Sequence, residues 1–196
     1  MRKLTTNIML GGVGGQGLIL MTKIICQAAL ADDFDVKSND VVGLSQRGGM
    51  VWGNVRIGNR VYSPNIPPGE GDILVAMEPI EGLRWSSVLK EKATIILNSK
   101  RFYPTMVQQE KHEYPIAEVE NLKEAFKVIE INAFDEALKI GKKQVSNVIL
   151  LGILSVFIDI KVDTWKKAVA NNVPNKTIEM NLRAFDFGVS IGEGYK

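Results

Sequence analysis

Seven residues near the start of the chain, Gly11 to Gly17, have the composition of a loop that binds phosphate. Gly12, Gly14 and Gly17 satisfy the pattern G-x-G-x-x-G between an apolar run and a region with helical spacing. Glycines let the backbone approach a ligand closely, and the following helix offers free N–H groups with a partial positive charge. Tight packing between a strand and a helix also demands small residues, so the motif supports a phosphate-binding role or a packing role.

A dinucleotide cofactor requires an acidic residue at the end of the second strand, about 20 residues beyond the glycines. Asp40 lies near that spacing, but no clean apolar strand precedes it. No acid or base for hydride transfer suggests itself elsewhere in the sequence. The glycine motif therefore favours a nicotinamide cofactor only weakly.

A second candidate loop, residues 45–49, is polar and ends in two glycines. Its side chains can donate hydrogen bonds to a phosphate or a carboxylate. Its arginine supplies a positive charge, and its glycines let the backbone fold around an anion. An ordinary polar turn with a solvated arginine explains the same residues, so both interpretations stay open. The candidate contacts in this loop are Ser45, Gln46, Arg47 and Gly48.

Glu78 directly follows a predicted strand, residues 72–77, and the continuous apolar run in that strand is typical of a buried one. The end of such a strand is where α/β folds bind ligands. Pro79 is typical of the first position of a helix, so Glu78 is equally explained as an acidic residue in a first helical turn.

The residue types that the chain lacks exclude several kinds of site. With one cysteine, Cys26, the 196-residue chain cannot form an internal disulfide or hold an iron–sulfur cluster by itself. One histidine, His112, argues against a histidine-built metal site or a Ser-His-Asp triad. The net charge of +2 gives no reason to invoke nucleic acid. We predict no metal site and a buried, unreactive Cys26 thiol.

The sequence predicts neither a secretion signal nor a membrane span. The segment that imitates a signal peptide contains five glycines and Lys23, whereas the apolar part of a signal is short and uncharged. The longest apolar run, residues 148–158, is about half of the roughly 20 residues that span a bilayer. We therefore expect a cytoplasmic protein.

Apolar runs and helical spacing predict one domain over residues 1–196, a Rossmann-like three-layer α/β/α fold. Its sheet is expected to be mixed but mostly parallel, with one β-hairpin and a helical C-terminal third. The hairpin is predicted at 51–62, with Gly58 and Asn59 as a two-residue turn. The other strands are predicted at 7–10, 36–44, 72–77, 94–97 and 128–131. Helices are predicted at 18–31, 133–140, 144–158, 164–170 and 177–189, with Asp163 or Thr164 capping the fourth.

Together these motifs resemble the gamma-type domain of the 2-oxoacid:ferredoxin oxidoreductases, most closely the beta subunit of the indolepyruvate type. The resemblance covers residues 6–188 and is far more specific than a lone glycine motif, because SQRGG follows GGxGGQG. Trp52 departs from the family pattern, because a smaller residue is expected at this position. The substrate therefore stays open among aryl, branched and short-chain 2-oxoacids. The stretches that carry the resemblance are 11–17, 45–49, 55–58 with 62–64, 72–79 and 181–185. Asn147 ahead of 150–152 also fits the family.

The resemblance implies a complex that oxidatively decarboxylates a 2-oxoacid with coenzyme A, giving an acyl-CoA, carbon dioxide and reduced ferredoxin. Thiamine diphosphate and iron–sulfur clusters would lie on a larger alpha subunit, in a heterodimer or higher assembly. This chain would hold no cofactor, would be inactive alone and would meet ferredoxin through the complex. A self-sufficient nucleotide-binding enzyme or regulatory module is the alternative.

No catalytic residue is assigned, and coenzyme A is the ligand that the resemblance suggests for the candidate contacts. Those contacts are Gly12, Gly14, Gly15, Gln16, Gly17, Ser45, Gln46, Arg47, Gly48 and Glu78.

Apolar residues near the predicted hairpin and the proline-rich loop suggest a partner interface, because exposed apolar patches mark interaction sites. Trp52, Ile66 and Pro67 are the expected contacts. The larger aromatics are interpreted as core or interface residues, because they lack the interleaved basic residues of a nucleic-acid surface. They are Trp52, Tyr62, Trp85 and Trp165.

Overall fold

The computed structural model describes residues 5–42, 49–102 and 113–196. Six strands of this part form one sheet. They are β1 (Thr5–Val13), β2 (Asp35–Val42), β3 (Met50–Gly58), β4 (Gly71–Ala76), β5 (Leu89–Asn98) and β6 (Lys127–Ile131). Their order in the sheet is β2-β3-β1-β4-β5-β6. Strand β3 is antiparallel to both β1 and β2, and every other pair is parallel. The predicted mixed, mostly parallel sheet of a Rossmann-like fold is confirmed.

Five helices of the described residues fall at the predicted positions, a sixth begins at the predicted Pro79, and two short ones between residues 116 and 125 have no counterpart among the predictions. They are α1 (Leu18–Ala31), α2 (Pro79–Trp85), α3 (Ile116–Glu120), α4 (Leu122–Ala125), α5 (Ala133–Ile140), α6 (Ser146–Ser155), α7 (Val162–Asn172) and α8 (Ile178–Glu193). Short 3-10 turns occur at Ser86–Val88, Lys143–Val145 and Asn175–Thr177. Among these described helices, none is long and apolar enough to cross a membrane.

Alternate residues of the central strands enter two cores, one on each face of the sheet. Ile8 and Leu10 of β1 belong to the larger core, which α1 and α5–α8 complete. Met9, between them, belongs to the smaller core with Leu74 of β4, and Leu83 of α2 packs against it. Both faces of the parallel strands are therefore covered, which explains their continuous apolar runs.

Helices α6 and α8 pack backbone to backbone in the larger core. Nine of the ten residues of α6 are buried, so the helix is apolar nearly all round. The close approach depends on Gly152 of α6 and Gly188 of α8. A Cβ atom at Gly188 would lie 3.0 Å from the Cα of Gly152 and closer still to the carbonyl oxygen of Ile149.

The predicted two-residue turn at Gly58 and Asn59 is wrong. Strand β3 ends at Gly58, and residues 60–62 form no strand. Instead, β3 pairs with β2 in front of it, with Val41 opposite Trp52. The segment after Asn59 is held by a side chain, because the N–H of Val61 donates to Asp35 Oδ2 at 2.7 Å.

Neither Asp163 nor Thr164 caps the helix that is predicted near residue 164. Helix α7 starts at Val162 after Lys161, without a side-chain cap. The hydroxyl of Thr164 donates instead to Asp32 Oδ1 at 3.5 Å, at the C-terminal end of α1. A tertiary contact has replaced the local capping bond that the sequence suggests.

The expected partner interface is only partly exposed. Ile66 is 9% exposed and belongs to the smaller core, so its predicted exposure is wrong, whereas Pro67 is exposed. Trp52 is half-buried and its ring centroid lies 5.0 Å from that of Trp85. A partner contact through Trp52 stays a prediction.

The remaining aromatic and thiol side chains differ in their burial. Trp165 is fully buried in the larger core, as expected, and Tyr62 is 80% exposed. Cys26 is half-buried on α1 rather than fully buried. Burial still raises the pKa of its thiol, which keeps the thiol protonated and weakly nucleophilic.

Candidate functional site

A cavity of about 720 Å³ opens at the edge of the sheet where β1 and β4 end. Because these strands are parallel neighbours, the residues that follow them meet at this edge. The start of β3 lies at the same edge, with Met50 opposite Val13. The first turns of α1, α2, α5 and α6 complete the described walls. The volume is in the usual range for a small-molecule site, about 300–1,000 Å³.

The glycine loop forms one wall and leads directly into α1. Gly15 and Gly17 have φ values of +96° and +83°, in the left-handed region that favours glycine. Gly17 precedes the first turn of α1, and no side chain caps that turn. The N–H of Gly14 donates to the carbonyl oxygen of Gly49 at 2.8 Å, which ties the loop to the segment before β3. The first N–H groups of α1 are thus available to an anion beside the loop.

Within the motif, individual glycines serve different purposes. Gly12 is buried, and a Cβ there would lie 2.7 Å from Leu18 Cδ1 and 2.9 Å from Met77 Cβ. Gly15 is exposed and lines the cavity, with nothing within 4 Å of a Cβ position. Gly12 therefore fits the packing role, and Gly15 fits close approach of a ligand.

Gln16 lines the cavity, but its amide is used by the protein backbone. Its Oε1 accepts from the N–H of Val13 at 2.8 Å, and its Nε2 donates to the carbonyl oxygen of Met77 at 3.4 Å. The side chain thus links the end of β1 to the residue that follows β4. These bonds position the loop, and a direct ligand contact stays a prediction.

Asn147 of α6 joins the glycine loop to the opposite wall. Its Nδ2 donates to the carbonyl oxygen of Gly17 at 3.3 Å. Its Oδ1 is buried and has no hydrogen-bond partner in the described part of the chain, although the residue lines the cavity. An unsatisfied buried acceptor costs about 1–3 kcal/mol. A ligand N–H or O–H would satisfy it, and α6 itself begins without a side-chain cap.

Two buried carboxylates, Glu78 and Glu81, lie on the wall formed by α2. Glu78 both ends the strand segment and caps the helix, because its Oε1 accepts from the N–H of Glu81 at 2.9 Å. Its Oε2 accepts from the hydroxyl of Tyr114 at 3.2 Å. Burial raises the pKa of Glu78, and the nearby charge of Glu81 raises it further. Glu78 therefore stands at the start of the helix and also lines the cavity, and its contact with a ligand stays a prediction.

The raised pKa of Glu78 predicts that the free energy of unfolding depends on pH. A carboxyl group with a raised folded-state pKa binds its proton more tightly when folded, so stability falls as the pH rises from its unfolded value, about 4.3, through the folded one. Glu78→Gln cannot ionise but keeps an oxygen for the cap. We expect its free energy of unfolding, relative to wild type, to increase from about pH 4 to about pH 7 in urea titrations. A difference that is constant over this range would contradict the prediction.

Several cavity residues are missing from the sequence-based candidates. Arg84 and Lys143 supply positive charge, and Phe102 and Phe134 supply an apolar surface, with ring centroids 6.3 Å apart. Lys143 stands at the start of the 3-10 turn before α6. In the sequence, each of these resembles an ordinary surface or core residue, and only the fold brings them together.

Ser45, Gln46, Arg47 and Gly48 lie outside the described residues, so their roles stay predictions.

Asp40 does not have the position of a ribose-binding acid. In dinucleotide-binding folds the acid ends a strand that neighbours the first strand. Here β3 separates β2 from β1. Asp40 Oδ1 accepts from the hydroxyl of Thr22 at 2.7 Å, and Asp40 is not among the described residues that line the cavity. Within the described ranges, no group of three or more His, Cys, Asp or Glu side chains is placed to hold a metal ion.

Comparison with known proteins places nearly the whole chain in one family. Residues 7–191 match the family described as pyruvate ferredoxin/flavodoxin oxidoreductase. The chain is 34% identical over 194 residues to the indolepyruvate oxidoreductase subunit IorB of Thermococcus kodakarensis, covering 93% of this chain and 94% of the relative. It is 31% identical over 198 residues to the 2-oxoglutarate synthase subunit KorC of Methanothermobacter marburgensis, covering 96% and 98%.

A solved structure shares the fold. The 2-oxoglutarate:ferredoxin oxidoreductase of Magnetococcus marinus, with 2-oxoglutarate, coenzyme A and succinyl-CoA bound, superimposes with a TM-score of 0.78 at 20% identity. The match covers 98% of this chain and 32% of that longer chain. Sequence and fold agree, and this chain belongs to the pyruvate ferredoxin/flavodoxin oxidoreductase family.

Proposed function

We propose that this chain is the small subunit of a 2-oxoacid:ferredoxin oxidoreductase of the indolepyruvate type. The observation that carries the proposal is the similarity to IorB, at 34% identity over nearly the full length of both chains. KorC is similar over a slightly greater length at 31% identity. The arylpyruvate substrate is therefore the finer part of the proposal and needs its own measurement.

The complex would convert a 2-oxoacid and coenzyme A into an acyl-CoA and carbon dioxide, with electrons passing to ferredoxin. Thiamine diphosphate and iron–sulfur clusters would lie on a larger subunit. The composition of this chain supports that division, because it has one cysteine and a cluster requires several thiolates.

We assign the cavity to the phosphate-bearing part of coenzyme A. Helices α1 and α6 both begin at the cavity without side-chain caps, and Lys143 adds a positive charge. Such helix starts favour phosphate. Phe102, Phe134 and Ile80 offer an apolar surface to the rest of the ligand. Coenzyme A combines these features, because it joins phosphates to an adenine ring and an extended pantetheine chain.

The proposal predicts that the isolated chain does not reduce ferredoxin with any 2-oxoacid. Co-expressed with its large subunit, it should co-purify in a brown complex that reduces ferredoxin only when coenzyme A is present. Indolepyruvate should give a higher kcat/KM than 2-oxoglutarate or pyruvate. Activity of the isolated, metal-free chain would refute the division of labour, and a preference for 2-oxoglutarate would refute the arylpyruvate assignment alone.

A further inference from the structure

We propose that Arg84 binds a phosphate group of the ligand in the cavity, and that Glu81 is the positioning residue that holds Arg84 there. The inference rests on the proposed function, which assigns the cavity to coenzyme A. It adds a cationic side chain from α2 to the glycine loop on the other wall.

Arg84 combines accessibility with a fixed orientation. Its side chain is 48% exposed and lines the cavity, and its Nε donates to Glu81 Oε1 at 3.1 Å. In the described part of the protein, no other hydrogen bond from the guanidinium is found. The two terminal nitrogens therefore remain for a ligand. A guanidinium with both terminal groups available can bind a phosphate through paired hydrogen bonds.

Glu81 is built as a rigid support. The residue is 2% exposed, and its second oxygen, Oε2, accepts from Trp85 Nε1 at 3.0 Å. The Trp85 ring is fixed in turn, because it packs against Trp52 and against the backbone of β1 at Gly11. Both carboxylate oxygens thus have defined partners, and the direction of the Arg84 side chain follows from them.

A salt bridge that only supported α2 would not require this arrangement. Exposed Arg–Glu pairs on helices contribute little to stability and function without burial. Here the acid is buried, and burial raises its pKa because the ionised form loses hydration. The fold nevertheless buries this carboxylate and adds a hydrogen bond from a tryptophan N–H. The result is an arginine with a fixed orientation at the cavity wall.

The charges that line the cavity indicate where the phosphate lies. Glu78 and Glu81 repel an anion, but Arg84 neutralises Glu81 through one edge of its guanidinium and leaves the other edge free. Lys143 is the other described cation in the lining. A phosphate is therefore expected between Arg84, Lys143 and the first turn of α1, away from Glu78.

The first test replaces Arg84 in the assembled complex. Arg84→Gln should raise the KM and the Kd for coenzyme A by about 10- to 100-fold, the effect of losing one charge-assisted contact. The kcat at saturating coenzyme A should change little. Arg84→Lys, which keeps the charge but loses the paired geometry, should give an intermediate increase. The matched control is Arg60→Gln, an exposed arginine that stacks on Tyr62 and does not line the cavity.

The second test asks whether Glu81 acts through Arg84. Glu81→Gln should raise the KM for coenzyme A by less than Arg84→Gln does. In the Arg84→Gln background, the same replacement should not raise the KM any further, because a positioning residue loses that role once its target is gone. If Glu81→Gln fails to assemble, the Arg84→Gln and Arg84→Lys pair decides the matter.

Four possible results distinguish between the inference and its alternatives. Selective loss of affinity for coenzyme A over dephospho-coenzyme A assigns Arg84 to the 3′-phosphate, and equal loss assigns it to the diphosphate; both support the inference. If Arg84→Gln matches Arg60→Gln while Gly17→Ala weakens coenzyme A binding, the inference fails and the proposed function stands. If neither Arg84→Gln nor Gly17→Ala changes coenzyme A binding, the cavity is not the coenzyme A site.

Discussion

Replacing Gly188 by alanine is expected to lower the melting temperature of the chain by about 6–12 °C. The new Cβ atom would lie well under 3.0 Å from the carbonyl oxygen of Ile149, and 3.0 Å from the Cα of Gly152. Backbone atoms of a buried helix cannot turn aside as a side chain can, so α6 and α8 must separate. Overpacking of this kind costs up to about 3 kcal/mol.

The matched control is Gly194→Ala, at the C-terminal end of the same helix. There the nearest atom to a Cβ, the carbonyl oxygen of Ile191, is 3.4 Å away, and φ is −67°. Alanine is a better helix former than glycine by about 1 kcal/mol, so this variant should melt at or slightly above the wild-type temperature. Circular dichroism melts of the two full-length variants make the comparison. Equal melting temperatures would contradict the backbone-to-backbone packing of α6 and α8.

Helix positions were readable from the sequence where local signals agree. The predicted ranges 18–31 and 133–140 match α1 and α5 residue for residue. Gly17 ends the glycine loop directly before α1. Asn132 caps α5, because its side-chain oxygen accepts from the N–H of Asp135. Each end is decided by residues within one helical turn of it, which is the distance that sequence patterns cover.

Strand pairing was not readable, because it is decided by residues far apart in the chain. The alternating pattern of β3 is correct, but a glycine–asparagine pair after it suggests a local turn that does not form. The actual partner on one side is β1, whose Thr6 pairs with Ile57. No local signal reports a contact over that distance.

Separation along the chain also explains which cavity residues the sequence predicts and which it misses. The glycine loop and Glu78 were found because each follows an apolar run that marks a strand end. Arg84 stands in the last turn of α2, where a basic residue is favoured in any helix, so its sequence position carries no information about a ligand. Asn147 leaves a trace, since it is a polar residue at the start of the most apolar helix. Its contact with Gly17 appears only in the folded chain.

That contact gives Gly17→Ala a large expected effect on ligand binding. Alanine at a φ of +83° costs about 1–2 kcal/mol in backbone strain. Its Cβ would also lie well under 3.0 Å from Nδ2 of Asn147, a buried side chain that donates to the carbonyl oxygen of Gly17 itself. The first turn of α1 must shift, and its N–H groups lose their alignment. We expect the KM for coenzyme A of the assembled complex to rise by about 10-fold or more, the effect of a charge-assisted hydrogen bond.

Gly15→Ala separates the strain from the collision. Its φ of +96° carries a similar backbone cost, but nothing lies within 4 Å of the Cβ position. Its melting temperature should fall by about 2–8 °C, less than that of Gly17→Ala. Adding Asn147→Ala to Gly17→Ala removes the collision and leaves the strain, so the double variant should melt higher than the sum of the single effects predicts. Strictly additive melting shifts would mean that Asn147 does not hold the glycine loop, and the link between the two walls of the cavity would be refuted.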